Sequence, residues 1–97
     1  MNIISHRTIR EYGETNNQAV TPLDDWYRKA KAIRPSNLVE LQKTFPTADL
    51  VGNCVVFNIG GNNYRLISKI YFVSNLLLVR FILTHGDYDK GKWRSDC

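Results

Sequence analysis

The sequence predicts an α+β fold, in which helices from the first half of the chain cover one face of a small antiparallel sheet built from the second half. Three observations predict this fold. Apolar residues recur at helical spacing between Leu23 and Ile33. After Cys54 the chain is rich in β-branched and aromatic residues, and turn-forming residues interrupt these runs. The chain has 97 residues, the length of one domain, so we expect a single domain over residues 1–97.

The first half is expected to contain a short strand and up to three helices. Asn2–Ile4 fits the strand, and Ser5 is a candidate cap for a helix that ends near Glu14. Thr21 and Pro22 predict the start of the second helix, since the Thr hydroxyl can accept from a free amide and proline suits the first helical position.

Two further prolines mark the ends of helices in this half. Pro35 is expected to end the second helix, and a shorter helix is expected between Ser36 and Pro46. Apolar residues at helical spacing are expected to face the core, among them Trp26 and Leu41.

The second half is predicted to be a meander of three strands. Val55–Ile59 and Tyr64–Val73 are separated by a turn at Gly60–Asn63, whose residues tolerate positive φ. Ser74–Asn75 is predicted to be a tight turn that leads into a third strand, Leu76–Thr84.

These turns predict a register for the strands. A two-residue turn at Ser74–Asn75 would place Lys69 opposite Arg80 and Arg65 opposite Thr84, with Asn58 opposite Arg65 on the other side. All of these would then share one face of the sheet. The core would lie on the other face, formed by Phe57, Ile59, Tyr64, Leu66, Ile70, Phe72, Leu77, Val79, Phe81 and Leu83.

A Lys69–Arg80 pair would be a like-charge pair, which costs on the order of 0.2–1 kcal/mol. Two interpretations fit it. In the first, both side chains extend into water, or Asp87 or Asp89 folds back between them. In the second, the pair binds an anion such as a phosphate.

The charge distribution also allows two interpretations. Thirteen Lys and Arg residues against nine Asp and Glu residues give a net charge of +4. From Leu50 to Gly86 the chain carries the basic residues Arg65, Lys69 and Arg80 and no acid. This pattern is typical either of ordinary solvated faces or of a surface that binds a polyanion.

The segment Thr84–Lys90 gathers chemically useful groups just after a predicted strand. His85 can transfer protons near neutral pH, Tyr88 can stack on a base, and Lys90 can stabilise negative charge. An ordinary polar turn would have a similar composition.

Several other classes of site are not supported by the sequence. Gly60–Gly61 alone does not make a phosphate-binding loop. His6 and His85 lack neighbours at zinc-ligand spacing. Cys54 and Cys97 do not make a disulfide framework, so we expect a reduced cytosolic protein, without a secretion signal or a membrane span. The sequence assigns no role to Trp93. It also does not decide whether Gly91–Cys97 is ordered or forms a flexible tail.

Two runs of residues resemble a known family. Phe57–Asn62 followed by Tyr64–Leu66, together with Thr84–His85 and Tyr88–Lys90, resemble the HigB-type toxins of bacterial type II toxin–antitoxin systems. The resemblance extends over nearly the whole chain to about Lys90.

The resemblance implies a RelE-like fold whose N-terminal strand joins the sheet. It implies an enzyme that cleaves mRNA on the translating ribosome, and a cytoplasmic complex with a HigA-type helix-turn-helix antitoxin, which would bind operator DNA. It implies no metal and no cofactor. Carried over by position, the catalytic residues would be Arg65, Arg80, His85, Tyr88 and Lys90. Apart from the resemblance, we expect Asn58, Asn62 and Lys69 to bind RNA.

The expected chemistry follows from the substrate, because RNA carries its own nucleophile, the 2′-hydroxyl. Arg65 and Arg80 would bind the scissile phosphate, Tyr88 would stack on or orient a base, and His85 or Lys90 would assist proton transfer. Two alternatives stay open: a toxin of the same fold that poisons DNA gyrase, as ParE-like proteins do, and a non-catalytic module that binds nucleic acid or protein.

Overall fold

The computed structural model describes residues 1–4 and 6–97. The predicted helix cap, Ser5, lies outside the described residues. The chain forms, in order, β1 (Asn2–Ile4), α1 (His6–Thr15), α2 (Asn17–Lys31), α3 (Leu38–Thr44), β2 (Asp49–Val51), β3 (Cys54–Ile59), β4 (Tyr64–Tyr71), β5 (Leu76–Thr84), α4 (His85–Asp89) and a C-terminal 3₁₀ helix (Lys92–Asp96). Among these residues, no helix has the length and apolar character needed to cross a membrane.

The strands form one five-stranded sheet in the order β1-β5-β4-β3-β2. β1 runs parallel to β5, and the other neighbouring strands are antiparallel. This confirms the predicted α+β class and the mostly antiparallel sheet. β2 was not predicted; it pairs with the first half of β3.

The second helix differs from its prediction at its start. α2 begins at Asn17 rather than at Thr21, so Pro22 lies inside the helix. The additional turn buries Ala19 completely, and Asn16 joins α1 to α2 by donating its side-chain amide to the Tyr12 carbonyl at 3.0 Å. The lack of an N–H at Pro22 removes one intrahelical hydrogen bond, which the buried turn offsets.

The predicted register of β4 and β5 is wrong. The turn spans Phe72–Asn75, with Asn75 in the left-handed region at φ 55°, and Tyr71 therefore pairs with Leu76. Lys69 lies opposite Leu78, so the like-charge pair with Arg80 does not form. The hairpin of β3 and β4, by contrast, has the predicted turn and pairs Asn58 with Arg65.

A β-bulge causes a second difference. Ile67 pairs with Phe81 while Ser68 pairs with Val79, which leaves Arg80 as the extra residue. One extra residue reverses the alternation of side chains along the rest of the strand. Phe81 and Leu83 therefore lie on the face of Arg65, not in the main core, where they were predicted.

The sheet consequently has apolar packing on both faces. The main core lies between the sheet and α1–α3; the ring of Trp26 from α2 meets that of Phe57 edge-on, with centroids 5.2 Å apart. On the opposite face a smaller cluster is built on four buried residues, and Phe81, Leu83 and Tyr88 pack against it. The four residues are Cys54, Val56, Ile67 and Trp93.

A disulfide joins the smaller cluster to the C-terminus, which corrects the expectation of reduced cysteines. Cys54 and Cys97 are bonded, with Cα atoms 5.3 Å apart and a sequence separation of 43. The Asn53 amide donates to the Cys97 carbonyl at 2.7 Å, and a side chain at Gly52 would collide with that same carbonyl oxygen. The last residues are thus fixed to the start of β3.

Candidate active site

The candidate site lies where the β3–β4 turn meets the end of β5. Tyr64 pairs with Thr84, so the turn and the residues after β5 come to the same edge of the sheet. The His85 amide donates to the Asn63 carbonyl at 3.0 Å, and the Thr84 hydroxyl accepts from the Asp87 amide at 3.2 Å. These bonds hold α4 against the turn.

Arg65 is the central cation of this region. Its side chain is nearly buried, with 8% of the residue exposed. The guanidinium donates to the backbone carbonyls of Asn62 and Tyr64, at 3.3 and 3.1 Å, and to the Asn62 side-chain oxygen at 2.6 Å. All three acceptors are uncharged, and within residues 1–4 and 6–97 no carboxylate forms an ion pair with the guanidinium, so the group is held in one position with its charge uncompensated.

His85 lies beside this guanidinium. Its Nδ1 is 3.4 Å from an Arg65 nitrogen and 3.1 Å from the Asn62 carbonyl oxygen, and its Nε2 is 2.9 Å from a carboxylate oxygen of Asp89. An Nδ1 that carries a proton donates it to the Asn62 carbonyl, whereas an Nδ1 without one accepts from the Arg65 guanidinium, so either tautomer has a partner at this nitrogen.

Tyr88 completes the group. Its ring centroid lies 5.2 Å from the guanidinium carbon of Arg65, and its ring stacks on Trp93 with centroids 4.9 Å apart. The Trp93 indole N–H also donates to the Tyr88 carbonyl at 2.9 Å. We call Asn62, Arg65, His85 and Tyr88 the Arg65 cluster.

Two other predicted catalytic residues lie outside this cluster. Lys90 is exposed, with its ammonium 3.5 Å from a carboxylate oxygen of Asp87. Arg80 is exposed at the bulge, and its guanidinium lies 5.9 Å from the Phe81 ring centroid. Since Leu83 pairs with Arg65, the backbone of Arg80 is about 10 Å further along the sheet.

The remaining predicted RNA contacts are more spread out. Asn58 is exposed and pairs with Arg65 across the β3–β4 ladder. Lys69 lies four positions after Arg65 on β4, on the same face and about 13 Å away along the strand. The structure therefore brings Asn62, Arg65, His85 and Tyr88 into contact and does not bring Lys69 to them.

Tyr12 approaches the same edge from α1. Its ring packs edge-on against Tyr64, with centroids 6.1 Å apart. Burial, with Tyr64 and Asp87 nearby, raises the pKa of the Tyr12 phenol above its usual value of 10.0. The phenol is therefore neutral at physiological pH.

Two residues of the site were not predicted from the sequence. The sequence suggested Asp89 only as an acid that could fold back between Lys69 and Arg80, but it lies on the helix α4, where it follows His85 by four positions and shares its face. Trp93, whose role the sequence left open, is buried and stacks on Tyr88. A helical interpretation of Thr84–Lys90 would have found the first of these contacts.

Comparison with known proteins gives consistent matches. The family model for the HigB toxin, described as the RelE-like toxic component of a toxin–antitoxin system, matches residues 19–91. The mRNA interferase HigB of Escherichia coli O6:H1 (strain CFT073) is 32% identical over 93 residues, covering 93% of this chain and 90% of the relative. The mRNA interferase toxin HigB of Escherichia coli K12 is 27% identical over 95 residues, covering 92% of this chain and 88% of that relative. The chain therefore belongs to the HigB family of RelE-like toxins, the toxic components of toxin–antitoxin systems.

Proposed function

We propose that this toxin is an endoribonuclease that cleaves mRNA on translating ribosomes in the cytoplasm, and that the Arg65 cluster is its active site. The observation that carries the proposal is the nearly buried Arg65, fixed by neutral acceptors, in contact with an imidazole and a phenol ring. The names of the two relatives, both mRNA interferases, support the same substrate class.

The proposed reaction uses the 2′-hydroxyl of the RNA as its nucleophile. The 2′-oxygen passes its proton to a solvent water molecule and forms a bond to phosphorus, and the bond from phosphorus to the 5′-oxygen breaks as that oxygen takes up a proton from His85. The products are a 2′,3′-cyclic phosphate and a 5′-hydroxyl. Two proton transfers and the stabilisation of a phosphorane dianion are sufficient for this reaction, so it is proposed to need neither metal nor cofactor.

Each member of the cluster receives a role in this reaction. Arg65 binds the phosphorane oxygens, because its charge is fixed before the substrate arrives. His85, oriented by Asn62 and Asp89, donates the proton to the leaving 5′-oxygen. Tyr88 has Trp93 and the Arg65 guanidinium against its ring, so it orients a neighbouring base with its hydroxyl and ring edge.

The more distant cations guide the RNA. Arg80, Lys90 and Lys69 extend the positive charge along the sheet face, and Asn58 offers an exposed amide beside Arg65. These residues are expected to contribute to affinity for RNA and to the dependence of that affinity on salt.

A HigA-type antitoxin with a helix-turn-helix domain is proposed to neutralise the toxin and to carry the complex to operator DNA.

Replacement of His85 by alanine tests the proposal. We expect the rate of message cleavage to fall by roughly 10²-fold or more, the typical contribution of general acid catalysis. The measurement is primer extension on a defined message after induction of the toxin. The control is His6→Ala, because the other histidine of the chain lies on α1, stacked on Tyr27.

Two results would count against this assignment. Cleavage by a folded His85→Ala variant at the wild-type rate would remove His85 from the mechanism. Intact message in growth-arrested wild-type cells, together with altered DNA supercoiling, would show that the toxin poisons DNA gyrase and does not cleave mRNA.

A further inference from the structure

A second concave feature lies next to the Arg65 cluster. It is a cavity of about 340 Å³, with Phe81 and Leu83 of β5 as its floor and Trp93 as a wall. Leu83 is the cross-strand partner of Arg65, so the floor begins directly beside the strand position that carries the guanidinium. The cavity exists because the bulge at Arg80 turns Phe81 and Leu83 to this face.

Tyr88 connects the cavity to the proposed active site. Its ring stacks on Trp93, which lines the cavity, and also contacts the Arg65 guanidinium. An RNA strand whose scissile phosphate lies on Arg65 would therefore place an adjacent nucleotide at the cavity mouth.

The cavity lining has the chemistry of a nucleotide site. Its aromatic and aliphatic floor suits the face of a base, while Lys90 and Lys92 at its rim suit the flanking phosphates. The guanidinium of Arg80 lies outside the lining, 5.9 Å from the centroid of the Phe81 ring. Aromatic surface combined with cations is how proteins bind single-stranded RNA.

Two carboxylates at the rim give the cavity a means of selection. Asp87 lies 3.5 Å from Lys90, whereas Asp96 has no ion-pair partner among residues 1–4 and 6–97. A carboxylate only accepts hydrogen bonds. It can accept from the exocyclic amino group of cytosine, but at the same position uracil presents a carbonyl oxygen, which is also an acceptor.

We infer that this cavity holds the base next to the scissile phosphate, and that Asp96 selects bases with an exocyclic amino group over uracil. The inference rests on the proposed function, since it identifies the class of nucleotide that the same site accepts.

The test compares two pyrimidines of equal size. Fluorescence anisotropy measures the binding of labelled decamers of 2′-O-methylcytidine and 2′-O-methyluridine, which lack the 2′-hydroxyl and are not cleaved. We expect the wild type to bind the cytidine decamer roughly tenfold more tightly. In Asp96→Asn the ratio should fall to within about twofold, because an amide both donates and accepts. Asp49→Asn, an exposed acid on β2, is the matched control and should retain the wild-type ratio.

The outcomes separate this inference from the proposed function. A wild type that binds both decamers equally, or binds neither, or an Asp96→Asn variant that keeps the wild-type ratio, would overturn the selection by Asp96. If the decamers are discriminated through Asp96 but cleavable RNA is never cut on ribosomes, the cavity is supported and the nuclease is contradicted. If RNA is cut but the two decamers are bound equally, the nuclease is supported and the selection by Asp96 is contradicted.

Discussion

Replacement of Arg65 by alanine is expected to lower the rate of mRNA cleavage by about 10²–10³-fold, the loss typical of removing one preorganised group that stabilises a transition-state anion. Arg65 is nearly buried and its guanidinium is bound to Asn62 and Tyr64, so its charge is in position before the substrate arrives, and alanine removes that charge. The effect should fall on the rate of the chemical step, measured by single-turnover cleavage of a defined message.

A matched control distinguishes the loss of chemistry from the loss of a cation. Arg28→Ala removes an exposed arginine that pairs with Asp24 on α2, and it should cleave at the wild-type rate. Because Arg65 also donates hydrogen bonds inside the structure, Arg65→Lys serves as a second variant that keeps charge without the forked geometry. A folded Arg65→Ala protein with full activity would exclude Arg65 as the phosphate-binding group, whereas full activity of Arg65→Lys alone would show that charge is sufficient without the forked geometry.

Loss of the Cys54–Cys97 bond is expected to lower the free energy of unfolding by about 2–4 kcal/mol. The bond closes a long loop, with a sequence separation of 43, and chain-entropy accounting for that length gives about 4 kcal/mol. Cys97→Ser is the better variant, because Cys54 is fully buried and a hydroxyl there would add its own cost. Urea unfolding of the oxidised wild type and of Cys97→Ser measures the difference.

Reduction supplies the control for this prediction. Dithiothreitol should destabilise the wild type by a similar amount and leave Cys97→Ser unchanged. Cleavage should also weaken in the variant, since the C-terminal 3₁₀ helix carries Trp93, on which Tyr88 stacks. Equal stability of the oxidised wild type and Cys97→Ser would show that the bond does not stabilise the fold.

The strand register shows how far sequence reasoning can reach. Placing the turn at Ser74–Asn75 shifted the pairing of Tyr71 by two residues, from Leu76 to Leu78, and a shift of two leaves each side chain on its face. The turn lies at Phe72–Asn75 instead, and both positions contain residues that favour a turn. The prediction therefore placed Lys69 and Arg65 on one face, although the β5 residues predicted to pair with them were wrong.

The bulge had a larger effect because it adds a single residue. It moved Phe81 and Leu83 to the other face and so created the floor of the cavity. Nothing in the run Leu76–Thr84 marks this position, since apolar residues fill both faces there. Bulges are set by packing between elements, which a single strand sequence does not specify.

Site residues were predicted unequally for related reasons. Arg65, His85 and Tyr88 lie in runs that resemble the toxin family, and the structure brings them together. The cysteine bond depends on the meeting of β3 with the C-terminus, positions far apart in sequence. The Trp93–Tyr88 stack depends on how the 3₁₀ helix folds back over the sheet face, a contact that no local pattern specifies.

The most direct test of the central claim is to remove the proposed nucleophile from the substrate. A message is mapped for its cleavage site in a purified translation system, and a second message is prepared with a single 2′-deoxyribose immediately 5′ of that bond. Attack by the 2′-hydroxyl predicts that cleavage at the modified position disappears while other sites persist, and that fragments of the unmodified message end in a cyclic phosphate and a 5′-hydroxyl. Cleavage of the deoxy-substituted bond at the unmodified rate would contradict the mechanism.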